Sequence, residues 1–534
     1  MTNQKLTTIW EEILDRVPAP TKPLIRDHIM LLGIENNVAV LGVRNHHLLP
    51  FAKKRAPHFE NALSGIFGTP ITVTFEVQDN FNATSLKSVQ HSNVPKNLKQ
   101  KIKDDKGIEL TDEQAIALNK ILAFLKSQNR TFALSGYAGT GKTFLMQLVL
   151  DECDKTKKDY LLTAPTNKAS RVLAKTTGED AITIAKLLGL RPKIDKTTGK
   201  EIFVRDPDAP VIELDDYDLI ILDEASMISS ELLEMLSQEF TLFGPKFLFL
   251  GDTAQLPPVG EARSLAFDKV DEKANLTQVV RYAGAILNWA TALRSSSSIS
   301  PVRKFADGEK LITVTDRAFA EEIVTAFTSK AFTNNTDHCR VLAWTNASVN
   351  QWNKKIRGAI FGKKAPRFVP GERLVATGVC TQRYSDNTGK ITESIILPSS
   401  EEIEVIEAHP ERGTIEFGVF QADIFDYWII NAQDSEGTLK EFRVLCESEA
   451  DRVNKMLKSF ATNKNWENYW GLKRAFHPLH YAYALTVHRS QGSTFEKVFL
   501  DLRNLLSNRK THERNKLLYT AATRAQEQMF VLEK

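Results

Sequence analysis

The segment GYAGTGKT, residues 136–143, constrains this chain more tightly than any other stretch. It follows an apolar run, residues 131–135, of buried-strand character, and opens a run, residues 144–153, with the apolar spacing of a helix. It fits the phosphate-binding pattern G-x-x-x-x-G-K-[ST] in the strand–loop–helix setting that the pattern requires. Gly136, Gly139 and Gly141 let the backbone turn tightly, so that consecutive amides, those of Ala138 and Thr140 among them, face an anion. The helix that follows adds the positive end of its dipole. Lys142 is placed to reach the outer phosphates, and the Thr143 hydroxyl to ligate magnesium. A chain organised around this segment binds a nucleoside triphosphate on an α/β domain.

The neighbouring segments read in the same direction. Gln114, in LTDEQ at residues 110–114, stands about 20 residues ahead of the loop, where its amide can pair with an adenine edge. Thr111 or Asp112 caps the helix that begins there. Residues 159–164 read as a strand ending in TAPTNKAS, with Pro165 stopping it at the sheet edge where α/β proteins bind ligands. Thr166, Asn167 and Lys168 can hold a phosphodiester backbone there; an ordinary strand-to-helix turn is the other reading. DLIIL, residues 218–222, is a fully apolar strand running into DEAS. Asp223 at its end can hold magnesium through water, and Glu224 can orient and deprotonate an attacking water. Residues 247–250 form another apolar strand, ending in GDTAQLPPVG, where Gln255 can touch the terminal phosphate.

Composition sets outer bounds. A chain of 534 residues holds about three or four domains of ordinary size. A net charge of +3 points neither toward nor away from nucleic acid, so any basic surface must be local. Cys153, Cys339, Cys380 and Cys446 lie far apart, which gives no zinc signature and no dense disulfide framework. The N-terminus lacks a basic-then-apolar signal pattern, and no stretch of about 18 apolar residues occurs. A cytoplasmic location and no membrane association are therefore expected.

GYAGTGKT, TAPTNKAS, DEAS and GDTAQLPPVG, in that order, resemble the motifs of superfamily 1 DNA helicases, and GD-x-x-Q with LPPV resembles the Dda-like and RecD-like branch. LTQVVRYA places Arg281 where that family carries a phosphate-contacting arginine. Residues 339–344 read as a strand, and TNASVNQWN after it, with Thr345 and Asn346, resembles the segment that opens the second motor domain. TVHRSQGST, with His488 and Gly492, and YTAATRA, with Arg524, are similar to the family's fifth and sixth motifs; Thr494 departs from several relatives, which have glutamate there. The resemblance covers roughly residues 107–534. It implies ATP and Mg²⁺ as cofactors, single-stranded DNA and a single-strand/duplex junction as partners, a motor working as a monomer, and 5′-to-3′ movement. It makes Arg524 an arginine finger, Pro165 and His488 DNA contacts, and Gly492 a nucleotide contact. It further implies two RecA-like domains, residues 107–295 and residues 296–368 with 479–534. A translocase that strips proteins from single strands without melting duplex would carry the same motor residues.

Two insertions interrupt this frame. Within residues 191–212, KIDKTTGKEIFV reads as a β-hairpin with a TTGK turn, which in the Dda-like family is the pin that parts strands. Phe203 either wedges or stacks there, or packs the hairpin. Residues 369–478 change to strand-like runs (373–379, 401–407, 414–420, 427–431 and 440–446), then a helical segment with Trp466, Tyr469 and Trp470. This resembles an SH3-like barrel with a helical extension, and the aromatics either stack on bases or form core.

Residues 1–78 form a unit of their own. Leu6, Ile9, Trp10, Ile13 and Leu14 recur at helical spacing; residues 21–32 read as a second helix, 37–43 as a strand, 47–67 as helical and 71–77 as a strand. The order resembles the N-terminal domain of the initiator DnaA and the C-terminal domain of DNA polymerase III tau, a KH-like α/β module that binds partner proteins. Residues 79–106, Lys-rich and polar, read as a linker whose Lys96, Lys99, Lys101 and Lys103 are solvated or touch phosphates.

Overall fold

The computed structural model of the chain describes residues 109–534 apart from 196–197, 199–200, 206–211, 241–243, 259, 281–283, 296–300, 386–390, 419–420 and 533–534. Before residue 109 it describes residues 9–10, 13, 29–35, 37–43, 49–54, 56–77, 99, 102 and 107. The linker assigned to residues 79–106 thus lies almost wholly outside the described residues, as do Arg281, Leu6 and Leu14.

Two all-parallel sheets carry the chain. In the first lobe the strand order is Glu272–Leu276, Thr131–Gly136, Lys246–Gly251, Leu219–Leu222, Tyr160–Ala164, Ala181–Thr183. The central strands LIIL and KFLFLG are buried along their whole length because helices cover both faces, the usual condition of parallel sheets. The second lobe has the order Leu311–Val314, Ala525–Leu532, Phe495–Leu500, Cys339–Ala343, Ala484–Thr486, again parallel throughout. This is the two-domain α/β architecture expected for a RecA-like pair. The helix Ala285–Ser295, read from sequence as the end of the first domain, instead buries Trp289, Ala290 and Leu293 among Leu517, Leu505 and Val531 of the second lobe. Its apolar stripe fits that surface, and the chain has already crossed between lobes before residue 285.

The insertion in the second lobe is an antiparallel sheet of five strands, ordered Leu439–Leu445, Gln421–Gln433, Glu402–Phe417, Arg373–Ala376, Leu479–Tyr481. The runs 401–407 and 414–420, expected as separate strands, are one strand, Glu402–Phe417, continuous through Pro410. Pro410 stands where this strand has a partner on one side only, the place in a sheet that tolerates a missing N–H. A hairpin of Cys380–Ser385 with Ile391–Leu397 was not anticipated from sequence. Helices Ala450–Thr462 and Trp466–Ala475 close over the far end of the long strand pair, burying Phe417, Phe425, Leu472 and Phe476 together. The expected hairpin of the first lobe is present as Leu190–Ile194 paired antiparallel with Glu201–Arg205.

In the N-terminal unit, strands Ile29–Glu35 and Val38–Val43 form an antiparallel hairpin, and Thr72–Val77 adds parallel to the latter. The helix expected over residues 21–32 is overturned from Ile29 onward, where the chain is strand. The run of consecutive apolar residues at 29–32 suits a helix or a buried strand equally, and Asn37 in the left-handed region (φ 61°) supplies the turn that decides for the hairpin. Trp10 and Ile13 are buried here, Trp10 against Phe59 with ring centroids 6.1 Å apart.

First lobe, second lobe and insertion meet at one ionic joint. Arg340, with no exposed side chain, donates through Nη2 to both oxygens of Glu402 (2.9 and 2.8 Å), and Lys168 of the first lobe lies 3.3 Å from the same carboxylate. Burial alone would raise the Glu402 carboxyl, but Arg340 and Lys168 outweigh it and hold it below the usual glutamate range. Arg171, on the Lys168 helix, pairs with Glu401 and donates to Ser435 Oγ at 2.6 Å. Glu402→Gln leaves the buried Arg340 with only the more distant Asp337 carboxylate (3.6 Å) as counter-charge, so we expect a loss of about 3 kcal/mol in denaturant unfolding.

Candidate active site

Strand Thr131–Gly136 delivers residues 136–143 to the start of the helix Lys142–Thr156. Gly139 and Gly141 take φ of 78° and 88°, values that a side chain rarely adopts. A Cβ on Gly136 would meet Thr140 Oγ1 at 2.8 Å and Leu276 Cβ at 2.9 Å, so this position admits no side chain without movement. The Lys142 ammonium donates to the carbonyls of Gly136 (2.6 Å) and Tyr137 (3.1 Å), across the mouth of its own loop. Thr140 is buried, its hydroxyl donating to Tyr137 O at 2.8 Å, and Thr143 lies in the first turn of the helix.

Gln114 is engaged differently from the sequence expectation. Its Oε1 accepts from Thr111 N (3.0 Å) in a reciprocal capping box, and its Nε2 donates to Thr140 O (3.0 Å). Thr111, not Asp112, is the cap. In this conformation the amide braces the phosphate loop, and both its groups are occupied at an adenine-reading position.

Asp223 and Glu224 sit at the end of Leu219–Leu222. Desolvation first, and the neighbouring Glu224 second, push the Asp223 carboxyl up to about 6, against the opposing pull of the Glu224 amide (2.9 Å) and Lys142. Glu224 itself is in the left-handed region at φ 50°, a strained conformation for this residue type and one that accumulates at functional sites. A desolvated carboxylate beside a second carboxylate, together with a hydroxyl in the first turn of the loop's helix, is a donor set of the kind that suits a magnesium ion held largely through water and phosphate oxygens.

Gln255 is buried, and its Oε1 has no hydrogen-bond partner among the described residues. Around it the lobes touch directly. Leu256 N donates to Thr520 Oγ1 (3.2 Å), and Gln491 Nε2 donates to Leu256 O (3.1 Å). A Cβ on Gly492, at φ 73°, would stand 3.3 Å from Ala169 Cβ, so this glycine allows close approach of the lobes. Arg524 is buried, and its guanidinium is held by its own lobe: Nε to Thr520 O (3.2 Å), Nη1 to Ser493 O (3.0 Å) and Nη2 to Thr523 Oγ1 (3.0 Å). The finger expected to complete the pocket is thus stowed on carbonyls one turn from the interface residue Thr520.

The two lobes present matching strand-to-helix turns. Pro165 follows the strand Tyr160–Ala164, and Thr166 caps the helix Asn167–Thr177 by accepting from Ala169 N (3.2 Å). Thr345 caps Asn346–Phe361 by accepting from Ser348 N (3.3 Å). Each hydroxyl accepts at its cap, and Thr345 Oγ1 also accepts from Asn504 Nδ2 (3.0 Å), which leaves the O–H of each threonine and the Asn346 side chain as groups that can meet a ligand. Lys168 is committed to Glu402. His488 lies on the short turn Val487–Ser490, its imidazole pushed down by burial despite the opposing Glu513. Sequence reading passed over Arg489, which donates to Thr377 O (2.9 Å) and lines a cavity of about 160 Å³ with Asn346, His480 and Thr486. Its place beside His488 in the same motif was the available signal. Phe203 lies on the hairpin strand Glu201–Arg205 opposite Pro192 and is 46% exposed.

Comparison with known proteins agrees with this geometry. The family described as AAA domain matches residues 109–316, and that described as UvrD-like helicase C-terminal domain matches residues 481–532. The ATP-dependent DNA helicase dda of Enterobacteria phage T4 is 26% identical over 448 residues, covering 79% of this chain and 99% of that protein. The ATP-dependent RecD2 DNA helicase of Deinococcus radiodurans is 35% identical over 175 residues, 33% of this chain and 22% of that one. The ATP-dependent DNA helicase Pif1 of Bdellovibrio bacteriovorus is 25% identical over 417 residues, 74% of this chain and 83% of that one.

Gly141→Ala tests the loop. Its Cβ would fall 2.5 Å from Gln114 Nε2 at a φ that costs about 1–2 kcal/mol for an L-residue, so nucleotide affinity measured by fluorescence titration should drop at least about tenfold.

Proposed function

We propose that this chain, a member of the Pif1/Dda/RecD-like superfamily 1 helicases and an ATP-hydrolysing DNA helicase, moves 5′ to 3′ on single-stranded DNA and parts duplex with its 190–205 hairpin. The observation that carries the reading is the direct hydrogen bonding between the two lobes at the nucleotide loop. Leu256 and Ala138 of the first lobe meet Thr520 and Tyr519 of the second, on the helix that leads to Arg524. One nucleotide placed there feels both lobes.

In this reading Lys142 and the loop amides bind the phosphates of ATP. Thr143 and Asp223 would hold Mg²⁺, which when bound neutralises charge on those phosphates. Glu224 accepts the proton of the attacking water, and Gln255 responds to the terminal phosphate through its unpartnered Oε1. Arg524, released from its carbonyls, and Arg281 meet the charge that develops on the transferred group; a guanidinium is permanently charged and suits this role. The paired helix starts at Thr166–Asn167 and Thr345–Asn346 offer amides to two points on a phosphodiester backbone, with Pro165 and His488 beside them. Opening and closing of the nucleotide cleft changes the spacing of those two grips and so walks the strand. Phe203 is the exposed aromatic available to the junction. Residues 1–78, whose described part has a core of its own around Ile13, Leu41 and Phe59, serve as a tether to a partner protein.

Unwinding of a partial duplex carrying a 5′ or a 3′ single-stranded tail decides direction: ATP-dependent strand separation is expected from the 5′ tail, and separation from the 3′ tail alone reverses the assignment. Glu224→Gln should keep ATP and DNA binding while turnover falls about 10²–10⁴-fold, the usual contribution of a general base. Deleting residues 193–200 should abolish unwinding but retain DNA-stimulated hydrolysis. A wild-type chain that displaces bound protein yet never separates strands would make it a translocase.

A further inference from the structure

We infer that Tyr519 is a positioning residue for ATP turnover: through Asp252 it ties the helix that leads to Arg524 to the tip of the phosphate loop. The inference rests on the motor reading above and adds a residue to it.

The geometry is a three-way junction. Tyr519 lies on the second-lobe helix Thr511–Ala522, and its hydroxyl donates to Asp252 Oδ2 at 2.7 Å. The Ala138 amide, inside the phosphate loop, donates to the same Oδ2 at 2.9 Å and to the Tyr519 oxygen at 3.3 Å. Asp252 Oδ1 accepts from Ala254 N at 2.9 Å. Asp252 has no exposed surface, so this carboxylate is satisfied by two first-lobe amides and one second-lobe hydroxyl. Of these donors the phenol alone comes from the second lobe. Charge-assisted hydrogen bonds of this kind are the stronger class. Burial first, and the Asp252 charge second, push the phenol's pKa far up, so it stays protonated and remains a donor throughout the working range of pH.

A second contact lies beside the first. Arg294, on the helix that packs into the second-lobe core, stacks over the Tyr137 ring at 3.6 Å. The loop residues Tyr137 and Ala138 therefore face the second lobe, while Gly136, Thr140 and Lys142 form the anion cradle. A shift of the loop on binding ATP reaches Asp252 and Tyr519 within one hydrogen bond, and Arg524 lies just past the C-terminal end of that helix. Thr520, adjacent in sequence, bonds Leu256 N and does not touch Asp252. The helix thus has one bond to the phosphate-loop network and another to the polypeptide that leaves it, and the two are separable by mutation.

Tyr519→Phe fills the same volume and removes only the hydroxyl, leaving Asp252 with both amides. With saturating single-stranded DNA, we expect kcat to fall about tenfold, equivalent to about 1.4 kcal/mol, with KM for ATP unchanged within about twofold. The nucleotide-free melting temperature should stay within about 2 °C of wild type, while the rise in melting temperature given by ADP with aluminium fluoride should be at least halved. Thr520→Val, which cuts the other bond, should lower kcat by clearly less than Tyr519→Phe. A Tyr519→Phe enzyme with wild-type kcat overturns the inference. So does a kcat loss matched by a fall in nucleotide-free melting temperature, or an equal loss in Thr520→Val. Wild-type protein without DNA-stimulated hydrolysis would instead sink the motor reading itself.

Discussion

Backbone amides at the carboxyl end of a parallel strand set the terms for everything else in this molecule. A parallel sheet aligns its strands so that every strand end, and the first turn of every following helix, falls on one edge. The residues of the candidate site lie on that edge in the first lobe: the phosphate loop after Thr131–Gly136, Pro165 after Tyr160–Ala164, Asp223 after Leu219–Leu222 and Asp252 after Lys246–Gly251. The second lobe repeats the device with Thr345 after Cys339–Ala343 and His488 after Ala484–Thr486. The two edges meet where Leu256 bonds Thr520 and Ala138 bonds Tyr519. The loops that do chemistry are short because the strands beneath them have already fixed their positions.

How each strand-end carboxylate is satisfied separates structure from chemistry. Asp501, at the end of Phe495–Leu500, accepts from Ser348 Oγ (2.7 Å), Trp352 Nε1 (2.9 Å) and Asn504 N (3.1 Å), and so pins the helix Asn346–Phe361 to its sheet. Asp252 is equally well supplied, but one of its donors crosses between lobes. Asp223 is desolvated and has an acidic neighbour in Glu224, which push its carboxyl up to about 6 against the pull of the Glu224 amide and Lys142. The same residue type at the same topological place therefore acts as a staple, a bridge or a site awaiting positive charge, according to the donors around it. Glu402 extends the pattern outside the sheets, where Arg340 and Lys168 join three bodies through one carboxylate.

Much of this was legible in the chain. The phosphate loop, the acidic pair, the strand-to-helix turns and the hairpin were each signalled by local spacing, and each stands where that spacing implied. Legibility failed where more than one packing satisfied the same local pattern. The run at Ile29–Leu32 could be helix or strand until a left-handed Asn37 closed a hairpin. The strand Glu402–Phe417 read as two runs, because a sequence does not reveal which edges of a strand are free to take a proline. The first domain read as ending at residue 295, because nothing local says which lobe buries the helix Ala285–Ser295.

The roles of polar side chains were the least legible part. Gln114 was recognisable as a residue ahead of the loop, yet its amide caps one helix and braces Thr140. Lys168 stood in a DNA-type motif and went to Glu402 instead. Tyr519, Asp252 and Arg489 lay inside recognised motifs with nothing local to mark them. The amino-acid sequence by itself determined the two-lobed α/β architecture and the nucleotide loop, because hydrophobic periodicity and glycine placement act over a few neighbouring residues. The tertiary structure decided which donors meet which acceptors, where Arg524 rests, and which lobe holds the helix that begins at Ala285. Some of those partners lie more than two hundred residues apart, as Lys168 and Glu402 do, and even a nearer one such as Ser493 meets Arg524 only through the fold, so such pairing leaves no local trace in the chain.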